Sequence, residues 1–140
     1  MIRKFRVEDL ECVMELWLNT NIQAHDFILK EYWISNFDMV KTILPKAALY
    51  VYEIQNKIEA FVGIDSDYIA GIFVSNEMQS IGIGKLLLEK CKQFYDNLSL
   101  SVYKKNYRAA KFYAKEGFSI EKEQVDENTG EIEYLMTWGK

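Results

Sequence analysis

Proline occurs once in the 140 residues, at position 45, histidine once, at position 25, and cysteine twice, at positions 12 and 91. Two cysteines so far apart make neither a disulfide framework nor a C-x-x-C redox or zinc motif, and one histidine among scattered carboxylates assembles no metal site. No apolar run approaches the roughly 20 residues of a membrane span. The amino end, Met1-Ile2-Arg3-Lys4-Phe5, lacks the apolar centre of a signal peptide. A cytoplasmic location without a membrane partner is therefore expected. The net charge of −4 leaves no basic excess for a dedicated nucleic-acid surface. Repeats, linkers and low-complexity stretches are absent too. What is there is apolar: 49% of residues are hydrophobic and 14% aromatic, which predicts one domain over residues 1–140 with a sizeable core.

Periodicity orders that domain. Ile2 to Phe5 is a short strand, and Leu10, Val13, Met14, Trp17 and Leu18 form one face of a helix. A second helix from about Glu31 presents Trp33, Phe37, Val40 and Leu44 and ends before Pro45. Ala48 to Ile54, Ile58 to Ile64 and Tyr68 to Val74 read as three antiparallel strands, the last mostly buried through Ile69, Ile72, Phe73 and Val74. Ile83, Leu86, Leu87, Cys91 and Phe94 then recur at helical spacing, Leu98 to Val102 alternates, and Asn106 to Glu116 is a short helix closed by Gly117. Phe118 to Val125 and Ile132 to Trp138 make a final hairpin. The strands flanking the Gly84 helix must lie parallel by a right-handed crossover in an otherwise antiparallel sheet.

The stretch from Tyr68 to Phe94 organises the rest, because it runs from strand through two glycines into the first turn of a helix. The first N–H groups of a helix lack internal partners and sit at the positive end of its dipole, so this is a place for phosphate. A dinucleotide-binding G-x-G-x-x-G would need a third glycine where Leu87 stands, and a P-loop would need glycine at Gln79 and serine or threonine at Leu86. Both fail. What remains is Gln79-x-x-Gly82-x-Gly84, followed later by Asn106-x-x-Ala109-x-x-Phe112-Tyr113-x-x-x-Gly117-Phe118.

These two stretches resemble the signatures of the GCN5-related N-acetyltransferases (GNAT), and the element order is similar to theirs from Ile2 to Trp138. The resemblance implies an α/β fold, a mostly antiparallel sheet of about seven strands with one parallel pair at the acetyl-CoA site, flanked by about four helices. It implies direct acetyl transfer from acetyl-CoA to a primary amine within a ternary complex, without a metal. Carried over by position, it assigns the pyrophosphate of the cofactor to Gln79 and to the backbone of Ile81, Gly82, Ile83, Gly84 and Lys85. The backbone of Phe73 and Val74 takes the pantetheine arm, Asn106 positions the cofactor, and Tyr113 is the general acid for the departing thiolate.

The base is less well marked. Some family members place a glutamate early in the strand before the glycine loop, where this chain has Asp67 and Tyr68. Asp67 acting through water and His25, which titrates near neutrality when unperturbed, are the candidates, with ordered water alone as the third. His25-Asp26-Phe27 with Tyr32-Trp33 resembles a segment of small bacterial members described as protein-lysine acetyltransferases. Trp17, His25, Phe27, Tyr32, Trp33 and Tyr68 are accordingly expected to wall the acceptor side, either as a channel for a lysine stem or as ordinary helix packing. Lys104, Lys105, Arg108 and Lys111 read as a patch for cofactor phosphate, and the acidic hairpin from Glu121 to Glu133 as a field favouring a cationic acceptor. A protein lysine or N-terminus is favoured, a small amine is close behind, and a monomer or homodimer fits equally. A non-catalytic acyl-CoA-binding regulatory module is the alternative.

Overall fold

A computed structural model describes all 140 residues. Seven strands, β1 (Ile2–Lys4), β2 (Ala48–Ile54), β3 (Lys57–Asp65), β4 (Tyr68–Val74), β5 (Asn97–Tyr103), β6 (Ser119–Val125) and β7 (Ile132–Gly139), form one sheet in the order β1-β2-β3-β4-β5-β7-β6. Every neighbouring pair is antiparallel except β4 and β5. Four α-helices cover it: α1 (Leu10–Ala24), α2 (Lys30–Ile43), α3 (Ile83–Phe94) and α4 (Tyr107–Lys115).

Alternation along β3 and β4 divides the core in two. Phe61, Leu49 and Val51 face α1 and α2 together with Val13, Met14, Trp17 and Trp33. Ala60, Val62, Ile64 and Ile69 face α3 with Leu87, Leu88 and Cys91. Both faces are thus covered by helices, which is why β3 is buried along almost its whole length. The helix after the glycines is rotated from its expected face. Leu86 and Phe94 are exposed, and Leu88 is inside instead. At the first strand, Arg3 clamps the edge of the sheet: its guanidinium donates to both oxygens of Asp9, at 2.8 and 3.0 Å, and to Glu53 Oε1 at 2.7 Å.

The feature that matters most is where the sheet comes apart. Strands β4 and β5 are in register only at Tyr68 with Ser99 and at Ile69 with Leu100. Immediately beyond, the β3–β4 register slips between Gly63/Gly71 and Ile64/Ile69, so that Ala70 is an extra, unpaired residue. A bulge of this kind bends its strand and increases its twist, and here it turns β4 away from β5. Ile72, Phe73 and Val74 are therefore half-exposed, contrary to the buried strand that their composition predicts, while Ile69 before the bulge is fully buried. The strands diverge into an open cleft.

Candidate functional site

One wall of the cleft is the free edge of β4. Ser75 N–H donates to the Glu59 carbonyl at 2.8 Å across the β3–β4 ladder, and in an antiparallel ladder such bonds recur at every second residue. The backbone groups of Phe73 are accordingly spent on Phe61, its register partner, and those of Ile72 and Val74 point away from β3 into the cleft. The free edge is thus Ile72 and Val74, where the sequence pointed to Phe73 and Val74. The ring of Phe73 folds over Gly71, where a Cβ would lie 2.5 Å from it, and stacks on Phe61 at 4.7 Å on the α1–α2 face.

At the mouth of the cleft the chain turns into α3. Gly82 is the N-cap, with φ +94°, a left-handed conformation that glycine adopts without strain. A Cβ built there meets nothing within 4 Å, so the space above the turn is open. Beyond it the N–H groups of Ile83, Gly84 and Lys85 head the helix without intrahelical acceptors. No side chain caps them. Gly84 is different: its Cβ would sit at ordinary contact distance from Phe112, 3.5 Å, and Ile72, 4.0 Å. Gly82→Ala should therefore cost ~1–2 kcal/mol of folding stability through left-handed strain, while Gly84→Ala changes it little. Urea unfolding of both variants checks this, and equal losses would refute it.

The loop is held from across the cleft. Gln79 Nε2 donates to the cleft-facing carbonyl of Val74 at 3.1 Å, and its Oε1 accepts from Arg108 Nη1 at 2.8 Å. Arg108 Nη2 also donates to Ser80 Oγ, whose residue has φ +68°. The basic patch divides here. Lys104 pairs with Glu123 at 3.0 Å and Lys105 with Glu131 at 3.2 Å, so two of its four members are turned to the closing hairpin and neutralise part of that acidic field. Arg108, in α4 with its side chain reaching the loop, and Lys111, exposed on the same helix, remain for an anion.

Tyr113 lies deeper, 8% exposed, against Phe118 at 5.8 Å. Burial, then the neighbouring Cys91 and Tyr68, push its phenol well above the ordinary tyrosine range, so the hydroxyl keeps its proton. Tyr68 stands at the start of β4, 38% exposed.

The α1–α2 connection closes the other side. His25 stacks on Trp33 at 5.3 Å, with Tyr103 and Phe27 edge-on at 5.0 and 5.7 Å. Burial drives its pKa down to about 4, and its Nε2 lies 3.2 Å from Asn106 Nδ2. That environment makes His25 a weak base. Asp67 is exposed in the β3–β4 turn, where its carbonyl accepts the Ser99 N–H at 3.0 Å. Trp17 and Trp33 are core residues in edge contact at 5.9 Å, so packing is their first role, although Trp17 also lines a cavity of about 270 Å³. Ile43, Leu44, Ala70 and Phe73 line that cavity too, and Asp65 is its one charged residue. Sequence reasoning missed Ile72, Asp65 and the Tyr103 hydroxyl, which donates to Asp126 at 2.6 Å. The period-2 pattern of β4 would have found only the first.

The sequence profile of the family described as "Acetyltransferase (GNAT) domain" matches residues 45–120, more than half of the chain. The peptidyl-lysine N-acetyltransferase YiaC of Escherichia coli K12 is 33% identical over 140 residues, covering 99% of this chain and 96% of that protein. The chain belongs to the GNAT acetyltransferases. The solution structure of apo YjaB from Escherichia coli superposes on this GNAT chain with a TM-score of 0.87 at 25% identity, covering 99% of one and 96% of the other. A PaiA N-acetyltransferase from Thermoplasma acidophilum, solved with coenzyme A, shares the fold at a TM-score of 0.84 and 19% identity, over 100% and 98% of the two chains. The GNAT profile runs from the end of α2 to the start of β6 and so contains the bulge, the glycine turn and Tyr113. His25, Phe27 and Trp33 fall outside it but within the span shared with YiaC.

Proposed function

We propose that this acyltransferase moves the acetyl group of acetyl-CoA directly to a primary amine, the side chain of a protein lysine, in a ternary complex. The observation that carries this reading is the split sheet: a strand edge at Ile72 and Val74 with no strand beside it, which ends at an uncapped helix start. A pantetheine arm is an extended chain of amides. It fits that edge as an added strand, its carbonyls and N–H groups meeting those of Val74. The pyrophosphate fits the first turn of α3, where Gly82 leaves room, and Arg108 and Lys111 supply positive charge beside it. The thioester supplies an activated acetyl group. Toward it the chain offers the Ile72 N–H as a donor for the carbonyl oxygen as negative charge develops, and the Tyr113 hydroxyl as a proton donor for the departing sulfur.

The acceptor is read from the opposite face. The cavity beside β4 is apolar with one carboxylate, a composition suited to an alkyl stem carrying an ammonium group, and YiaC and YjaB are named as peptidyl-lysine acetyltransferases. With His25 committed to Asn106 and Asp67 exposed in its turn, the ammonium in this reading loses its proton to water. The rate with saturating acetyl-CoA should then rise nearly tenfold per pH unit between about 6 and 9, below the amine's pKa of ~10. The decisive measurement is thiol release from acetyl-CoA with lysine peptides, peptides bearing only a free N-terminus, and small amines. Release with the lysine peptides alone is expected. Preference for another pool would reassign the acceptor, and binding without release from any pool would defeat the enzyme reading in favour of a regulatory module.

A further inference from the structure

Asn106 fixes the orientation of its own amide. Its Oδ1 accepts the Ala109 N–H at 3.3 Å as the N-cap of α4, so Nδ2 is the end that faces His25 Nε2, 3.2 Å away. An amide nitrogen only donates. His25 Nε2 must therefore be the unprotonated ring nitrogen, and the ring proton sits on Nδ1. That atom is buried and makes no hydrogen bond of good geometry, although the backbone of Asn21, one turn back in α1, lies close enough to favour the protonated ring. The other tautomer would relieve nothing, because it would set two donors against each other at Nε2.

The ring is held on three sides besides. Trp33 stacks on it from α2, and Phe27 and Tyr103 meet it edge-on. Tyr103 in turn is anchored to Asp126 in the closing hairpin. On the far side of the bond, Asn106 and Tyr113 are seven residues apart, close to two turns of helix, and so share a face of α4. A shift of the first turn of α4 is carried to Tyr113.

We propose that His25 is a positioning residue for acetyl transfer. By accepting the Asn106 amide hydrogen it ties the α1–α2 connection to the N-cap of α4 and so sets the helix that carries Tyr113. This role rests on the acetyltransferase reading given above, and within it His25 neither gives nor takes a proton.

The test compares His25→Phe and His25→Gln in the full chain, with acetyl-CoA and a lysine peptide. His25→Phe keeps an aromatic ring for Trp33 and leaves the Asn106 amide unpaired. It should lower kcat about tenfold or more, as expected for misplacement of a reacting group, with KM for acetyl-CoA within about threefold. His25→Gln, whose Oε1 can accept the same hydrogen, should recover most of that loss, and the pH–rate profile should keep the shape of the wild type in both. Unchanged kcat in His25→Phe, or equal losses in the two variants, would overturn the role. Independently of folding in the variants, ¹⁵N spectra of the wild-type imidazole at neutral pH should show Nδ1 protonated and Nε2 bare; the reverse would overturn the tie itself. A wild type inert toward every amine would defeat the proposed function, whereas an active wild type with an unaffected His25→Phe variant would defeat only the role of His25.

Discussion

Phenylalanine at position 113 should lower kcat about 100-fold, the scale on which a single positioned donor acts, while acetyl-CoA affinity and thermal stability hardly move. The hydroxyl is the only atom removed, from a ring that stays packed against Phe118. No internal hydrogen bond is lost with it, because the phenol makes none within the chain. The raised pKa shapes what the group can do. The thiol of a leaving coenzyme A is the stronger acid, with a pKa of about 8.5 against a phenol already near 10 before burial, so complete proton transfer from Tyr113 is uphill. In the proposed reaction its contribution would come from donating a hydrogen bond to sulfur while charge develops there, in a site where burial strengthens that bond. Kinetics across pH provide the check. The variant should be slower by a similar factor from pH 6 to 9, since the hydroxyl stays protonated throughout. Turnover equal to wild type would remove Tyr113 from the mechanism.

Asp9→Ala should cost on the order of 3 kcal/mol of folding stability at neutral pH, the scale for removing one partner of a buried ion pair. Asp9 is 7% exposed, and its carboxylate takes two bonds from Arg3 and a third from the Arg6 N–H at 2.7 Å. Without it the Arg3 guanidinium keeps Glu53 and the Lys4 carbonyl, and the turn that leads from β1 into α1 loses its tie to the sheet. The pH dependence has a definite sign. The Arg3 guanidinium holds the Asp9 carboxyl below the usual carboxylate range, so its stabilisation is complete above the unfolded pKa of about 3.9 and disappears as pH falls through the lower folded value. Urea unfolding of the two proteins should show a gap that is constant from pH 7 to 5 and closes below about pH 4. A gap that persisted in acid would mean that packing, not charge, holds this corner together.

Local signals carried much of this molecule in plain sight. The glycine turn and the order of strands and helices were legible because each depends on residues a few positions apart, such as Gly82 with Ile83. The face of α3 was not, because Leu86, Leu87 and Leu88 are consecutive and a leucine run fits two faces equally; only packing against Ala60 and Val62 selects Leu87 and Leu88. The exposure of Ile72 to Val74 depends on the neighbouring strand turning away, which an apolar run cannot announce. The fate of Lys104 and Lys105 is set by Glu123 and Glu131, 19 and 26 residues further on. His25 reads as a base because its intrinsic pKa suits one; the rings that bury it and weaken its basicity, and the Asn106 amide 81 residues away, are not visible in the sequence.

The two-residue parallel pairing between β4 and β5 has a consequence for the lifetime of the protein. Four strands on one side and three on the other are joined along the sheet by that short contact alone, so the native sheet has a missing rung that an extended ligand fills. Such a ligand is a splint as well as a reactant. At a hundred times its Kd it would add about 2.7 kcal/mol to the free energy of unfolding, and the abundance of the folded enzyme would follow the supply of the thioester proposed as its substrate.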